Sequence, residues 1–412
     1  MCRIMFLLTA IVCVSLSARL TAAPRAEAFM LAGKLAEGEQ SLQQHLKAHP
    51  EDDEARFGLG AIQFLLTFEH LGTSLHKYGL RTERGAPFVG RQLSEIVPQN
   101  PDPQPIRYQD SRRIVERFVK DLAAAEATLA KVDDESVKLP LHVGLIKIDV
   151  CGLGKPVSAA FVLGRIDVDV PEAMVQQFVV CFDRGDVDWL RGYCHLLSAC
   201  GEILLAVDAQ EVFDCTAHMF FERVTSPHKF LQEEPRVWDD IFSLNARVIS
   251  DLISFIHLMR FPMKEPHRMK RAHAHLRATL ASSRTMWKHY QAETDDENEW
   301  IPNPSQTGAM QIEVSDEMVA TWLRAIKESE AVLEGKKLIP FWRGEGPTRG
   351  VNLRRVFLEP RALDPILWIQ GTAATPYLEQ GEITNFAEPR TLQQINNTFG
   401  GWNFFGFAFW FN

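Results

Sequence analysis

Cysteine is scarce in this chain, with seven residues among 412. None belongs to a C-x-x-C pair, which argues against a zinc site or a disulfide framework and for buried small apolar side chains. Motif chemistry is absent as well. There is no G-x-S-x-G elbow, no H-E-x-x-H, no G-x-x-x-x-G-K-[ST] loop and no dinucleotide fingerprint, so the usual local signatures of a serine hydrolase, zinc protease, P-loop enzyme or nicotinamide enzyme are missing. Paired carboxylates for glycoside hydrolysis depend on spatial separation and leave no such signature. Positive charge is not in excess: the formal net charge is −9, which speaks against nucleic acid as a partner of the whole molecule. Neither a metal nor a cofactor is expected.

What is present starts at the amino end. Arg3 precedes a charge-free run of fifteen residues, Ile4 to Ala18, and small residues follow to Thr21-Ala22-Ala23. That layout reads as an export signal over residues 1–23, cleaved after Ala23. A membrane-spanning helix needs about 20 apolar residues, so no span is expected in the mature chain. Cys13 lies inside the apolar run without a small residue before it, which is the wrong place for lipid attachment. Cleavage removes Cys2, Cys13, Arg3 and Arg19, lowers the net charge by two more units, and leaves Cys151, Cys181, Cys194, Cys200 and Cys215. Cys194 and Cys200 on one helix stand about 120° apart and cannot bridge; the oxidising compartment that export implies leaves room for one disulfide between other elements. With 46% apolar and 24% charged residues the composition is globular.

The periodicities predict a mainly α protein, α+β overall, with a small carboxyl-terminal mixed region. Leu31, Leu35, Leu42 and Leu46 recur at helical spacing before His49-Pro50, and Glu51-Asp52-Asp53 opens a second helix through Phe57, Leu59, Ile62, Leu65 and Leu66. Residues 24–97 therefore read as a helical hairpin. Pro98, Pro101, Pro103 and Pro105 mark an extended connection over 98–109. A helical body follows over 110–345, beginning with a helix from Tyr108 to about Leu129. Segments Trp189–Val207 and Val237–Met259 are apolar almost all round, as internal helices are, and both carry charges unsuited to a membrane. Helices from about His267 to His289 and from Ser315 to Glu334 come next, the second with Ser315 as cap and Gly335 as stop. Over 346–412, Val351–Leu358, Ile366–Gln370 and Asn403–Phe411 read as short strands, the last a central one because aromatics occupy both of its faces.

Candidate chemistry concentrates on one stripe. Asp188, Arg191, His195, Ser198 and Glu202 step by three and four along a helix otherwise lined by apolar residues. Asp188 can pair with Arg191, while His195 and Glu202, about 10 Å apart along the axis, need something between them. A stripe lining a cleft, with His195 as acid or base near a second acid from another element, would make a hydrolase; a stripe facing open solvent would defeat that reading. His218 and Glu222, four apart, are candidate binding residues. Three other features read as structural. His273 and His275 point to opposite sides of one helix. Asp149 to Lys155 keeps the shape of a calcium loop, but Cys151, Leu153 and Ala160 stand where ligands belong. The eight Lys and Arg residues between Arg260 and Lys288 read as a solvated face neutralised by neighbouring acids.

Two resemblances rest on these residues. Leu46-x-x-His49-Pro50 with Ala55, Leu59 and Gly60 resembles the join between tetratricopeptide repeats, as one unit without a second copy at the expected period of about 34 residues. Such a unit must lean on the rest of the protein. Asp186-x-Asp188-Trp189-Leu190-Arg191-Gly192-Tyr193-Cys194-His195, Pro340-Phe341-Trp342-Arg343 and Asn352-Leu353-Arg354-Arg355-Val356-Phe357 resemble a group of uncharacterised exported proteins from planctomycete-type bacteria. The resemblance implies export and no particular activity; in that group the loop at Asp149 is more acidic, and this chain departs at Cys151 and Leu153. The expectation is a non-enzymatic binding or scaffold protein of the periplasm or cell envelope, partnered by a protein or an envelope component, with the hydrolase as alternative.

Overall fold

The structure is a computed structural model that describes residues 25–81, 97–161, 178–233, 244–343, 349–386, 388–399 and 404–411. The export signal expected over residues 1–23 lies outside the described residues. Helix α1 (Ala26–Ala32) stops at Gly33, whose left-handed φ of +68° lets its N–H and that of Lys34 return to the carbonyls of Met30 and Phe29. Helix α2 (Leu35–Ala48) follows, so the first arm of the hairpin is two helices rather than one. The second arm is α3 (Asp53–Lys77), where Asp52 accepts from the Ala55 N–H at 2.9 Å.

The hairpin packs onto α4 (Tyr108–Leu129) and α5 (Arg184–Ala206), and one apolar core runs through all of them. Met30, Leu35, Leu42, Phe57, Ile62, Leu122, Leu129 and Val187 are all buried in it. Gly60 permits the closest approach: a Cβ there would lie 2.5 Å from Leu129. Strand β1 (Leu139–His142) closes this core and pairs antiparallel with β4 (Val179–Phe182), Leu139 opposite Phe182. Between them β2 (Lys147–Ile148) pairs with β3 (Val157–Ser158).

Helix α5 lies along α8 (His267–Ala292), the most extensive contact between elements in the molecule. Short α6 (Gln210–Thr216) and α7 (Leu244–His257) sit between them in sequence. Helix α9 (Asp316–Leu333) packs on α8 and is bounded as expected, Ser315 accepting from the Met318 N–H and Gly335 taking φ of +71°. No helix among the described residues is long and apolar enough to cross a membrane. The Val237–Met259 segment departs from expectation. Its first residues lie outside the description, and Ile249, Ile253 and Ile256 on α7 are 51% to 61% exposed rather than internal.

The carboxyl-terminal region is mixed, but its apolar runs are mostly helical. Strands β5 (Ile339–Pro340), β6 (Arg349–Val351) and β7 (Leu378–Gln380) form one antiparallel sheet. Only Val351 of the first run belongs to it. Asn352 accepts from the Arg355 N–H and starts α10 (Leu353–Leu358); Asp364 accepts from the Leu367 N–H and, with Pro365, starts α11 (Pro365–Gln370). Local capping thus overrides the β-rich composition. After α12 (Pro389–Thr398), the last aromatic run is α13 (Phe404–Phe411), not a central strand. Its final carbonyls are satisfied by side chains: Trp189 Nε1 donates to Trp410 O at 2.7 Å and Ser283 Oγ to Phe411 O at 3.2 Å. Phe411 is buried against Trp287, Trp322 and Phe399 in a second core.

Because Leu129 is buried and cannot swing away, Gly60→Ala is expected to destabilise the chain by about 1–3 kcal/mol, measured by urea unfolding. An unchanged midpoint would contradict the close approach of α3 and α4.

Candidate functional site

The stripe on α5 is neither a cleft nor a solvent face. It lies in a seam where α4, α5 and α8 meet, and charged partners from the other two helices occupy it. Asp188, 1% exposed, accepts from Arg184 Nη1 and Arg191 Nη1, both at 2.9 Å. Arg191 continues to Glu126 of α4 at 3.0 and 3.1 Å. Glu126 also stands 3.5 Å from His195 Nε2, and His195 Nδ1 meets His275 Nδ1 of α8 at 3.1 Å. Two turns further, buried Glu202 is held by Arg268 at 3.1 Å and by Arg271 at 2.9 and 3.0 Å. Arg268 reaches on to Glu265, which also takes Arg112 of α4. Every carboxylate of the seam faces a guanidinium, the condition for burying charge at all.

The two imidazoles illustrate the electrostatics. Facing Nδ1 atoms need one donor and one acceptor, so a second proton has no place between them. Burial, partly offset by Glu126, lowers the pKa of His195, with His275 and Arg191 adding to the fall; burial likewise lowers that of His275, against Glu202 and Glu126. An acid from another element does approach His195, which is half of what the hydrolase reading requires. The cavities lined by Arg324 and Gln394, by Phe57 and Leu190, and by Asp208 and Arg260 include no stripe residue.

The remaining candidates separate. His218 sits in a single 3-10 turn, Ala217–Met219, beyond which the chain leaves helical geometry. His218 faces Asp251 at 3.2 Å while Glu222 accepts from Gln99, so the expected pair is not brought together. His273 is buried against the Leu333 carbonyl and His275 faces His195, on opposite sides of α8. Asp149 accepts from the Leu153 and Gly154 N–H groups at 3.1 and 2.6 Å, a tight turn closed by its own carboxylate. The basic face of α8 is neutralised by Glu202, Glu330 and Glu334 rather than by the acids that follow it in sequence. Cys151, Cys181, Cys194, Cys200 and Cys215 are all free.

Two features escaped sequence reasoning. The first is a groove of about 860 Å³ between α9 and α12. Its carboxylates are engaged: Thr398 donates to Glu317, and Lys337 and Thr384 donate to Glu328. Arg324 and Lys327 are exposed along it and form no ion pair among the described residues. Asn385, Gln394 and Asn397 add amides, and half-buried Phe386 adds a ring face.

The second is a carboxylate cluster at the junction of α5 and α8, formed by Asp183, Glu293 and Glu299, the only metal-competent group found among the described residues. Burial, joined by contact with Asp183, pushes the Glu293 carboxyl up to about 10, and burial pushes Glu299 up to about 7. Asp186 beside them is fully buried with its pKa well above the usual range, and accepts from Tyr290 Oη at 2.6 Å. The signal in the sequence is the acidic run Glu293 to Glu299, but its partner Asp183 lies far upstream. Compared with known proteins, the chain matches no family model, no curated protein and no solved structure.

Both histidine pKa values are depressed in the fold, so the unfolded chain binds protons first as pH falls through about 6.5, and stability falls with it. Urea midpoints at pH 7.5 and 5.5 should therefore differ less in His195→Gln/His275→Gln than in the parent; equal differences would contradict the buried neutral pair. Glu202→Ala, which removes the carboxylate shared by Arg268 and Arg271 but leaves Arg268 on Glu265, is expected to cost about 1.5–3 kcal/mol in the same assay.

Proposed function

We propose that the chain is an exported, non-enzymatic binding or scaffold protein of the periplasm or cell envelope, and that the groove between α9 and α12 takes an oxygen-rich polar ligand such as an acidic envelope glycan. One observation carries the reading: the groove's two carboxylates already accept hydrogen bonds, while Arg324, which donates to Thr321 Oγ1 at 2.9 Å, and Lys327 form no ion pair among the described residues. Arg324 offers a planar fork suited to carboxylate oxygens, and Lys327 a second cation. The three amides present donor and acceptor side by side, the pattern that adjacent hydroxyls require. Phe386 gives a flat apolar face for the C–H side of a sugar ring. Export is supported by the layout of residues 1–23.

The hydrolase alternative has the approach of Glu126 to His195 in its favour. Against it stands the use of every charged stripe residue in pairing, which leaves no open position for a substrate. A single titration separates the two readings. Soluble acidic fragments of the source cell's own envelope polysaccharide are added to the purified chain, to Arg324→Ala/Gln394→Ala and to His195→Ala, with heat and fragment size both followed. The binding reading expects intact fragments, equal affinity for parent and His195→Ala, and at least tenfold weaker binding by the groove variant. Fragment cleavage lost in His195→Ala, or equal affinity in the groove variant, would overturn it.

A further inference from the structure

The seam on α5 pairs each buried carboxylate with a guanidinium; the cluster at its amino end does not. Asp183 caps α5, and its Oδ1 accepts from the Gly185 N–H at 2.6 Å and the Asp186 N–H at 3.3 Å. Its Oδ2 receives no donor although the residue is only 6% exposed. One carboxylate oxygen each from Asp183, Glu293 and Glu299 lies within 4.8 Å of the other two. Glu293 caps the carboxyl end of α8, and Glu299 is 3% exposed.

Neutral donors serve this cluster sparsely. Gln306 Nε2 reaches Glu293 at 3.3 Å and the Glu297 N–H reaches Glu299 at 2.8 Å. The nearby base, Lys138, is spent on Asp295 and Glu297, at 2.5 Å each. Two ionised carboxylates that face each other are both acceptors, so a proton or a cation must stand between them. The Asp183 oxygen is a buried acceptor aimed at such a position.

We propose that Asp183, Glu293 and Glu299 form a divalent-cation site of the calcium class, which ties the start of α5 to the acidic segment that follows α8. An all-oxygen donor set selects hard cations over zinc or copper. Magnesium keeps several of its waters and demands near-ideal octahedral geometry, whereas calcium accepts irregular carboxylate sets. Calcium's tolerance of irregular geometry suits three carboxylates drawn from separate segments, with half-buried Glu293 open to water for the remaining oxygens. The site is independent of the groove on α9, and a cation bound only by the folded chain would stabilise it.

The test uses the full chain, stripped with chelator and titrated calorimetrically with calcium chloride and, separately, magnesium chloride. Thermal midpoints are read on the same samples. One calcium per chain is expected, with a midpoint several degrees higher than in the stripped protein. Binding should be at least tenfold weaker in Glu293→Gln and in Glu299→Gln, which keep the size of each side chain, and unchanged in Asp149→Asn in the calcium-loop look-alike. No heat and no midpoint shift at millimolar calcium would overturn the proposal without reference to any variant. Tighter binding of magnesium, undiminished affinity in both glutamine variants, or loss of binding in Asp149→Asn alone would overturn it as well.

Discussion

Buried charge must be paired, and in this protein that requirement fixes how the long helices meet. Asp188 and Glu202 lie on the inner side of α5, nearly inaccessible to water. They persist there because Arg184 and Arg191 of the same helix, and Arg268 and Arg271 of α8, supply the opposite charge. Glu126 and Arg112 bring α4 into the same network. An apolar seam would tolerate sliding of one helix along another; a seam of bidentate and shared ion pairs admits one register. The cores on either side, around Leu122 and Leu129 and around Trp287 and Phe411, pack against elements already aligned by it.

This arrangement separates framework from surface chemistry. The polar stripe of α5 is consumed internally, so the groups left to meet a ligand lie elsewhere. Arg324 and Lys327 keep their charges at the α9 groove, where the acids are already engaged. At the other extreme, Asp183, Glu293 and Glu299 are acids without bases at the amino end of the same α5 that is so well neutralised further along. One helix therefore shows both outcomes of placing carboxylates inside a protein: matched by arginine, or held for a cation.

Local signals in the sequence were legible. The helix from Tyr108 to Leu129, the Ser315 cap and the Gly335 stop depend on neighbours in the chain, and they stand where periodicity and capping place them. The stripe itself was also readable, since steps of three and four fix a helical face. Its meaning was not, because Glu126, Arg268, Arg271 and His275 come from distant elements. Misreadings arose where composition and capping disagreed: Val351–Leu358 and Ile366–Gln370 are rich in branched and aromatic residues, yet Asn352 and Asp364 initiate helices there. The aromatic run at the end satisfies a strand template by alternation, but its carbonyls find donors in Trp189 and Ser283, which only the folded chain brings near. The groove and the carboxylate cluster each join segments from separate helices, and no spacing rule reaches across such gaps.

The central claim is that the α5 seam is framework. A double-mutant cycle between Glu126 and Arg191, read by urea unfolding of Glu126→Gln, Arg191→Gln and the double variant, tests it most directly. The account predicts a coupling of at least ~1 kcal/mol between the two helices. Additivity within ~0.5 kcal/mol would contradict it.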